Sequence, residues 1–467
     1  MPGESPLEKI AAEAAPLTPR GHAALFLSAA LVAAGLLAGP GAAEALVAAG
    51  LALLALVLAE RSLFLAKAAA LQRLGVRWEL ETPMAEGRPS RVRLVLENRS
   101  LVALEHVEVY DSPPRLFRWR EPPRAVVSLP ALGRAVVEYT LVPVVGRHGW
   151  GGPLRLAAED FLGFFRAERL VYEGLPEVAV QPRVLEALLR RALLPTVLQP
   201  GGVERLRRRG LGVEFLELRE YTPDDDIRLV DWKASARRGR LVVKVFEQES
   251  SLRVLLVIDA WPSMFTGVLG RTRIEHAARL AATLAEYLAR RGDAYRLYIL
   301  GPDGGSSLSP WLRGRGSGAT ARRFIAERLS WPRGRLGAPD PGSRASALRN
   351  GLLSALPRGG AALILVSDLG GDPGAARAYA GALAGLRPAL RGLRVYLVHL
   401  SPVLFESTAL EGSRASAYLL LSLERLRALR SALSLLRGGG VEVVELGPRD
   451  PVSALLDRLE RLRGVVS

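Results

Sequence analysis

The 467-residue chain has no cysteine, which excludes disulfides and thiolate metal sites without fixing a compartment. Histidine is nearly as scarce. His22, His106, His148, His276 and His399 are scattered, and no H-E-x-x-H helix is among them. No G-x-x-x-x-G-K-[ST] loop is present, so the chain lacks the usual phosphate cradle and is not expected to hydrolyse ATP itself. No Ser/His/Asp order stands near the acidic clusters described below. Common hydrolytic chemistry therefore has little to work with.

What is plentiful is apolar sequence and positive charge. Hydrophobic residues make up 49% of the chain, enough for real cores, and the length exceeds one typical domain. Lys and Arg total 63 against 47 Asp and Glu, a net charge of +16. That balance suits anionic lipid, nucleic acid or merely a basic proteome. Residues 22–38 hold no acid, lysine or arginine, and residues 41–59 are apolar except for Glu44. Each run is about long enough to cross a ~30 Å hydrocarbon core at ~1.5 Å per residue. The Gly39-Pro40-Gly41 break between them makes a hairpin, so residues 1–20 read as an N-terminal segment and 21–66 as two transmembrane helices. Arg20 precedes the first run, and Arg61, Lys67, Arg73 and Arg77 follow the second. The positive-inside bias then places both ends in the cytoplasm of a multi-pass inner (plasma) membrane protein. A cleaved signal peptide with one anchor, or a buried hairpin of a soluble core, are the alternatives.

From Val76 the period changes to two. Residues 91–98, 106–111, 135–144, 154–160 and 176–182 alternate or run apolar between Pro/Gly clusters, predicting an Ig-like antiparallel β-sandwich over 76–183. Residues 184–250 form a basic connector, with Arg205 and Arg207 to Arg209 as a candidate phosphate contact or a solvated loop. Beyond 251, apolar strands at 254–258, 295–300, 361–367, 394–400 and 441–446 alternate with helical segments at 273–291, 319–329, 345–356, 373–386, 421–436 and 451–463. This predicts a Rossmann-type parallel sheet covered on both faces, with any site outside the carboxyl ends of the strands. The chain is thus expected to be multidomain, α/β plus all-β.

The densest stretch is Gly210 to Glu249. Arg219, Glu220, Tyr221, Asp226, Arg228, Asp231, Trp232, Ser235 and Arg237 crowd charge and aromatics into a short span, directly before the strand ending on Asp259. Read from the residues, this block is a charge-paired latch onto the next domain, a partner surface, or a set of catalytic acids drawn from Asp224, Asp225, Asp226 and Asp231. Arginine and aromatics favour an interface, with Arg219, Tyr221, Asp226, Arg228, Asp231, Trp232 and Arg237 as its candidate residues. The block resembles the bacterial domain of unknown function 58 family, whose pattern is G-x-G-x-E-F…R-x-Y-x-x-G-D-x-x-R-x-I-D-W…A-R ahead of a von Willebrand factor A-like domain. Asp224-Asp225 stands where that pattern has Gly-Asp. Upstream, Glu97 to Ser100, Gly146 to Gly149 and Asp160 to Phe165 occupy further places of the resemblance.

The resemblance implies a non-enzymatic membrane scaffold or adaptor, with relatives often encoded beside MoxR-type AAA ATPases, working on client proteins. It also implies a metal-ion-dependent adhesion pattern, D-x-S-x-S with a loop threonine and a later acid. Asp259, Ser263 and Asp368 match, while Trp261 replaces the first serine, and Ser343, Ser346 or Thr320 stand for the loop hydroxyl. Weak Mg²⁺ binding or none is the expectation, with an exposed, partner-facing Trp261 indole. The other reading of Asp259 is a helix cap or an arginine pair. Two further functions stay open: a metal-dependent hydrolase using the strand-end acids, and a basic binder of anionic lipid or nucleic acid.

Overall fold

The computed structural model describes residues 16–39, 41–186, 189, 209–210, 214–223, 225–247, 252–332, 334, 337–356, 361–386, 393–408, 410 and 412–448. They fall into two compact units: 1–144 with 148–178, and 145–147 with 179–467. The basic residues 205–208, the acid at 224 and the expected helix at 451–463 lie outside the described residues.

In the first unit, both apolar runs are helices, α1 (Pro19–Leu37) and α2 (Ala42–Gln72). Thr18 starts α1, its side chain accepting from the Gly21 N–H, and Pro19 sits where a missing N–H does no harm. Small residues let the two helices approach closely. The Ser28 hydroxyl donates to the Gly50 carbonyl at 2.9 Å, and a Cβ on Gly50 would meet Val32 at 2.7 Å. Both helices are long and apolar enough to cross a membrane, and only 17% and 11% of their most apolar windows is buried. That low burial disfavours the soluble-core alternative. α2 continues well past the expected span at 41–59. Its last turns bury Phe64, Ala68 and Leu71 among sandwich residues, and Arg169 donates to the Leu71 and Leu74 carbonyls at 3.1 and 2.7 Å. A cation on the last carbonyls is a favourable helix end.

The strands β1 (Gly75–Leu80), β2 (Ser90–Glu97), β3 (Leu104–Tyr110), β4 (Arg118–Trp119), β5 (Arg124–Leu129), β6 (Arg134–Val142), β7 (Leu154–Glu159) and β8 (Arg166–Val171) form two antiparallel sheets, ordered β1-β2-β6-β4 and β8-β7-β3-β5. β2 alternates buried and outer residues along its length, as a strand with one core face must. Leu94 and Leu96 of one sheet share a core with Val107, Leu154 and Leu156 of the other.

In the second unit, β9 (Glu214–Glu220) and β10 (Val242–Glu247) pair antiparallel, with the short helix α3 (Trp232–Arg238) between them. Then come β11 (Arg253–Asp259), β12 (Ala294–Leu300), β13 (Ser306–Leu308), β14 (Ala361–Ser367), β15 (Leu393–Leu400) and β16 (Val441–Leu446), ordered β13-β12-β11-β14-β15-β16. All pairs are parallel except the edge strand β13. Six of the seven β11 residues are buried, because helices cover both faces. The helices of this unit are α4 (Arg273–Arg291), α5 (Ser317–Arg328), α6 (Pro341–Ala355), α7 (Pro373–Ala384), α8 (Pro402–Ser407), α9 (Ser413–Leu421) and α10 (Leu423–Gly438). α4 opens with a Thr272/Glu275 capping box and ends at Gly292, whose φ of +77° suits glycine. The helix expected at 421–436 is α10, and a further helix not expected from the sequence, α9, ends just before it at Leu421.

Candidate functional site at the carboxyl ends of the strands

β11 and β14 are parallel neighbours, with Ile258 beside Val366, so the acids that follow them meet at one sheet edge. Asp259 and Asp368 are both fully buried. Each has its own arginine. Arg344, from α6, reaches Asp259 Oδ1 with Nε at 3.0 Å and Nη2 at 2.8 Å, and also donates to the Gly301 carbonyl at 3.0 Å. Asp259 Oδ2 accepts from Trp261 Nε1 at 2.9 Å, Ser367 Oγ at 2.9 Å and Tyr379 OH at 2.6 Å. Burial and the neighbouring Asp259 carboxylate push the Tyr379 hydroxyl well up, so it stays a donor.

Arg273, at the start of α4, brings Nε to 3.1 Å from Asp368 Oδ2, donates to the Ser263 carbonyl at 2.6 Å and pairs with Glu406 at 3.2 Å. Asp368 also accepts from Ser263 Oγ at 2.7 Å and from the Gly370 N–H at 2.9 Å. Burial pushes its carboxyl up to about 6, against the pull of Arg273 and these hydrogen bonds. His399, at the end of β15, is buried too, and burial pushes its imidazole down to about 4.

Three sequence expectations are corrected here. The edge is not an open acidic site, because both carboxylates are neutralised by buried guanidiniums. Trp261 is not an exposed partner contact: it is 2% exposed, its indole donating to Asp259, with Arg344 Cζ 5.0 Å from the ring centroid. The adjacent turn depends on this packing, since a Cβ on Gly370 would lie 2.7 Å from Trp261, at a φ of +64°. Finally, the hydroxyls taken as ligand candidates point elsewhere. Ser343 and Ser346 are exposed on α6, and Thr320 is exposed on α5, while Arg344 between the two serines is the residue that reaches Asp259.

The residues do not fit a divalent cation. Mg²⁺ needs free oxygen lone pairs in near-octahedral order. Asp259 already accepts five N–H or O–H approaches, and a guanidinium lies where a cation would be drawn. Among the described residues no group of three or more His, Cys, Asp or Glu is placed to hold a metal. A small pocket beside this edge is lined by Thr266, Val268, Arg271, Arg273, Phe405 and Glu406.

The Arg219–Arg237 block sits on the β9–β10 hairpin. Arg219 pairs with Asp225, and Thr222 donates to Asp225 through N and Oγ1, both at 2.8 Å. The Thr222 N–H and then Arg219 hold the Asp225 carboxyl down at about 2. The Tyr221 N–H donates to the Leu241 carbonyl at 2.9 Å. Asp226 caps a turn at Ile227–Leu229, and Asp231 caps α3 by accepting from Ala234 N at 3.0 Å. Asp231 also lies 3.3 Å from Lys244. Among the described residues no arginine pairs with Asp231; its role is a helix cap, worth about 1 kcal/mol in general. The contacts of Arg219, Asp225, Asp231 and Ser235 fasten the hairpin to itself. Trp232 is 63% exposed, and Arg228 and Arg237 are exposed beside it in sequence.

Sequence reasoning missed Arg344, Arg273, Ser367 and Tyr379. Arg344, Arg273 and Tyr379 are singled out only by their positions in the folded chain, whereas Ser367 directly precedes Asp368.

Residues 217–384 match the family model described as "Protein of unknown function DUF58", so the resemblance carried by the Arg219–Arg237 block holds at the level of the family. The match takes in most of the hairpin and both strand-end acids. No curated protein matches the chain in sequence. Among solved structures, a GH20 exo-β-N-acetylglucosaminidase from Vibrio harveyi aligns with 80% of this chain and 75% of its own at 11% identity and a TM-score of 0.25. An α-2-macroglobulin fragment from Escherichia coli aligns with 84% of this chain and 62% of its own at 12% identity and a TM-score of 0.21. Neither score indicates a shared fold.

Proposed function

We propose that the chain is a non-enzymatic, membrane-anchored scaffold that works through protein contacts. One observation carries the reading: at the sheet edge where α/β folds build their sites, both acids are tied to buried internal arginines. A general acid or base must reach substrate, and a metal ligand must have a free lone pair. Asp259 is taken up by five donors, and Asp368 is fully buried beside Arg273, away from any substrate. The strand order is consistent with a von Willebrand A-like domain, and the two antiparallel sheets with an Ig-like sandwich. The family resemblance supplies the partner class, a MoxR-type AAA ATPase that acts on client proteins alongside this scaffold.

The test is co-purification. The full chain, gently solubilised from its native membranes, is expected to retain a MoxR-type ATPase and to hydrolyse none of a panel of esters, phosphoesters and peptides. Hydrolysis lost in Asp259→Asn, or a preparation without the ATPase, would count against the scaffold.

The arginines and lysine around α1 and α2 place the soluble units in the cytoplasm in this reading. A phosphatase or fluorescent-protein reporter fused after Ser467 should accordingly report a cytoplasmic end. A periplasmic signal, or a mature N-terminus near Ala42, would replace the hairpin with a cleaved leader and one anchor.

A further inference from the structure

We propose that the outer face of the β9–β10 hairpin, formed by Ile227, Arg228, Trp232, Lys233 and Arg237, docks an acidic segment of a partner protein, one apolar side chain lying on the Trp232 indole. The proposal rests on the scaffold reading and adds where the partner is held and by what chemistry.

The fold divides the signature block into two sets. Arg219, Thr222, Asp225, Asp231 and Ser235 hold the hairpin together. Trp232 is 63% exposed and Ile227 59%, in a segment where Val230, Val242 and Val243 are buried. Large apolar side chains grouped in the open mark contact sites. Among the described residues, Arg228, Lys233 and Arg237 have no ion-pair partner, although Arg219, Arg240 and Lys244 of the same hairpin each have one. Helix geometry aims Lys233 and Arg237 outward. Ser235 is turned in, with the Val242 N–H donating to its Oγ at 2.9 Å. Lys233 and Arg237 lie two positions to either side of it, about 200° around the helix, and are one turn apart on the solvent face.

Unpaired guanidiniums and an exposed indole on one short stretch of chain suit carboxylates, which arginine grips with two parallel hydrogen bonds. Tryptophan and arginine are also the residues that most often anchor protein interfaces. Nucleic acid fits less well, because a single ring offers no row of stacking platforms. Anionic lipid would meet the same cations, and the vesicle arm below separates it from an acidic segment.

The experiment uses the full chain in phosphatidylcholine nanodiscs. The probe is a fluorescein-labelled peptide of alternating glutamate and leucine, read by anisotropy. Binding that weakens about tenfold or more in Arg228→Glu/Arg237→Glu and in Trp232→Ala, and that weakens with added salt, supports the acidic docking face. Circular dichroism checks that each variant is folded, and Trp232→Phe should restore most of the binding. The proposal is overturned if the wild type does not bind the peptide or if the variants bind it equally. It is also overturned if those variants instead lose binding to oligothymidylate or to equimolar phosphatidylcholine/phosphatidylglycerol vesicles. Capture of a purified MoxR-type ATPase by the wild-type chain is a separate arm. Its failure counts against the scaffold reading, while the peptide arm alone decides the docking face.

Discussion

Arg344→Met is expected to destabilise the chain by about 3–5 kcal/mol, the usual consequence of stranding one member of a buried ion pair. Asp259 is fully buried and the Arg344 side chain is 2% exposed, so water cannot take the place of the lost guanidinium. Both donors to Asp259 Oδ1 disappear together, and the Gly301 carbonyl keeps only the Gly304 N–H. Trp261, Ser367 and Tyr379 remain on Oδ2, but neutral donors do not balance a buried negative charge. Arg344→Lys should fall between the wild type and Met, since an ammonium cannot reproduce the two-pronged contact. Asp259→Leu/Arg344→Met should recover much of the loss, because removing both charges also removes the desolvation penalty. Urea unfolding of the full chain in detergent micelles measures each step. A shift in Arg344→Met of under about 1 kcal/mol would mean that the pair is solvated and the edge open.

The reading of this edge shows what a chain reveals before it is folded. The strands were legible because β11, β14 and β15 are buried on both faces and read as unbroken apolar runs. Their order as neighbours followed, and with it the meeting of Asp259 and Asp368. The partners of those acids were not legible. Arg344 lies 85 positions from Asp259 and Tyr379 lies 120, and nothing local distinguishes these residues from other arginines and tyrosines. The hydroxyls of the same GSRAS segment drew attention because a metal site would want them, while the fold turns the intervening arginine inward. Trp261 misled for a related reason. A bulky residue at a ligand position suggests a covered, outward site, yet the indole has a donor to place, and the nearest buried acceptor is Asp259. The Arg219–Arg237 block was legible as a polar cluster. Its division into hairpin-holding and outward residues needed the turn of α3, which a pattern of charges does not give.

The sandwich holds a second node that no periodicity announced. Asp111, 7% exposed, directly follows β3 in one sheet. Its Oδ2 accepts from Trp78 Nε1 of β1 at 2.9 Å and from the Tyr139 hydroxyl of β6 at 2.5 Å, both in the other sheet. Oδ1 accepts from Trp150 Nε1 and the Ser112 N–H, each at 2.8 Å. Burial, with the Asp111 carboxylate beside it, drives the Tyr139 hydroxyl far up, so it remains protonated and donating. One carboxylate thus satisfies four donors and ties the two sheets together. Asp111→Ala would take the carboxylate from all four, three of them on large rings packed in or against the core. An orphaned buried donor costs about 1–3 kcal/mol, and such losses within one network do not simply add, so a total near 4 kcal/mol is expected. Asp111→Asn keeps an acceptor but replaces the other oxygen with a donor that faces donors, and should lose somewhat less. Tyr139→Phe removes a single contact and should lose about 1 kcal/mol. Urea unfolding of the full chain in micelles, followed by near-ultraviolet circular dichroism of the Trp78 and Trp150 environments, separates these cases. If Asp111→Ala unfolds at the wild-type midpoint with an unchanged aromatic spectrum, the carboxylate does not join the sheets. In that case the sandwich is held by its apolar core alone.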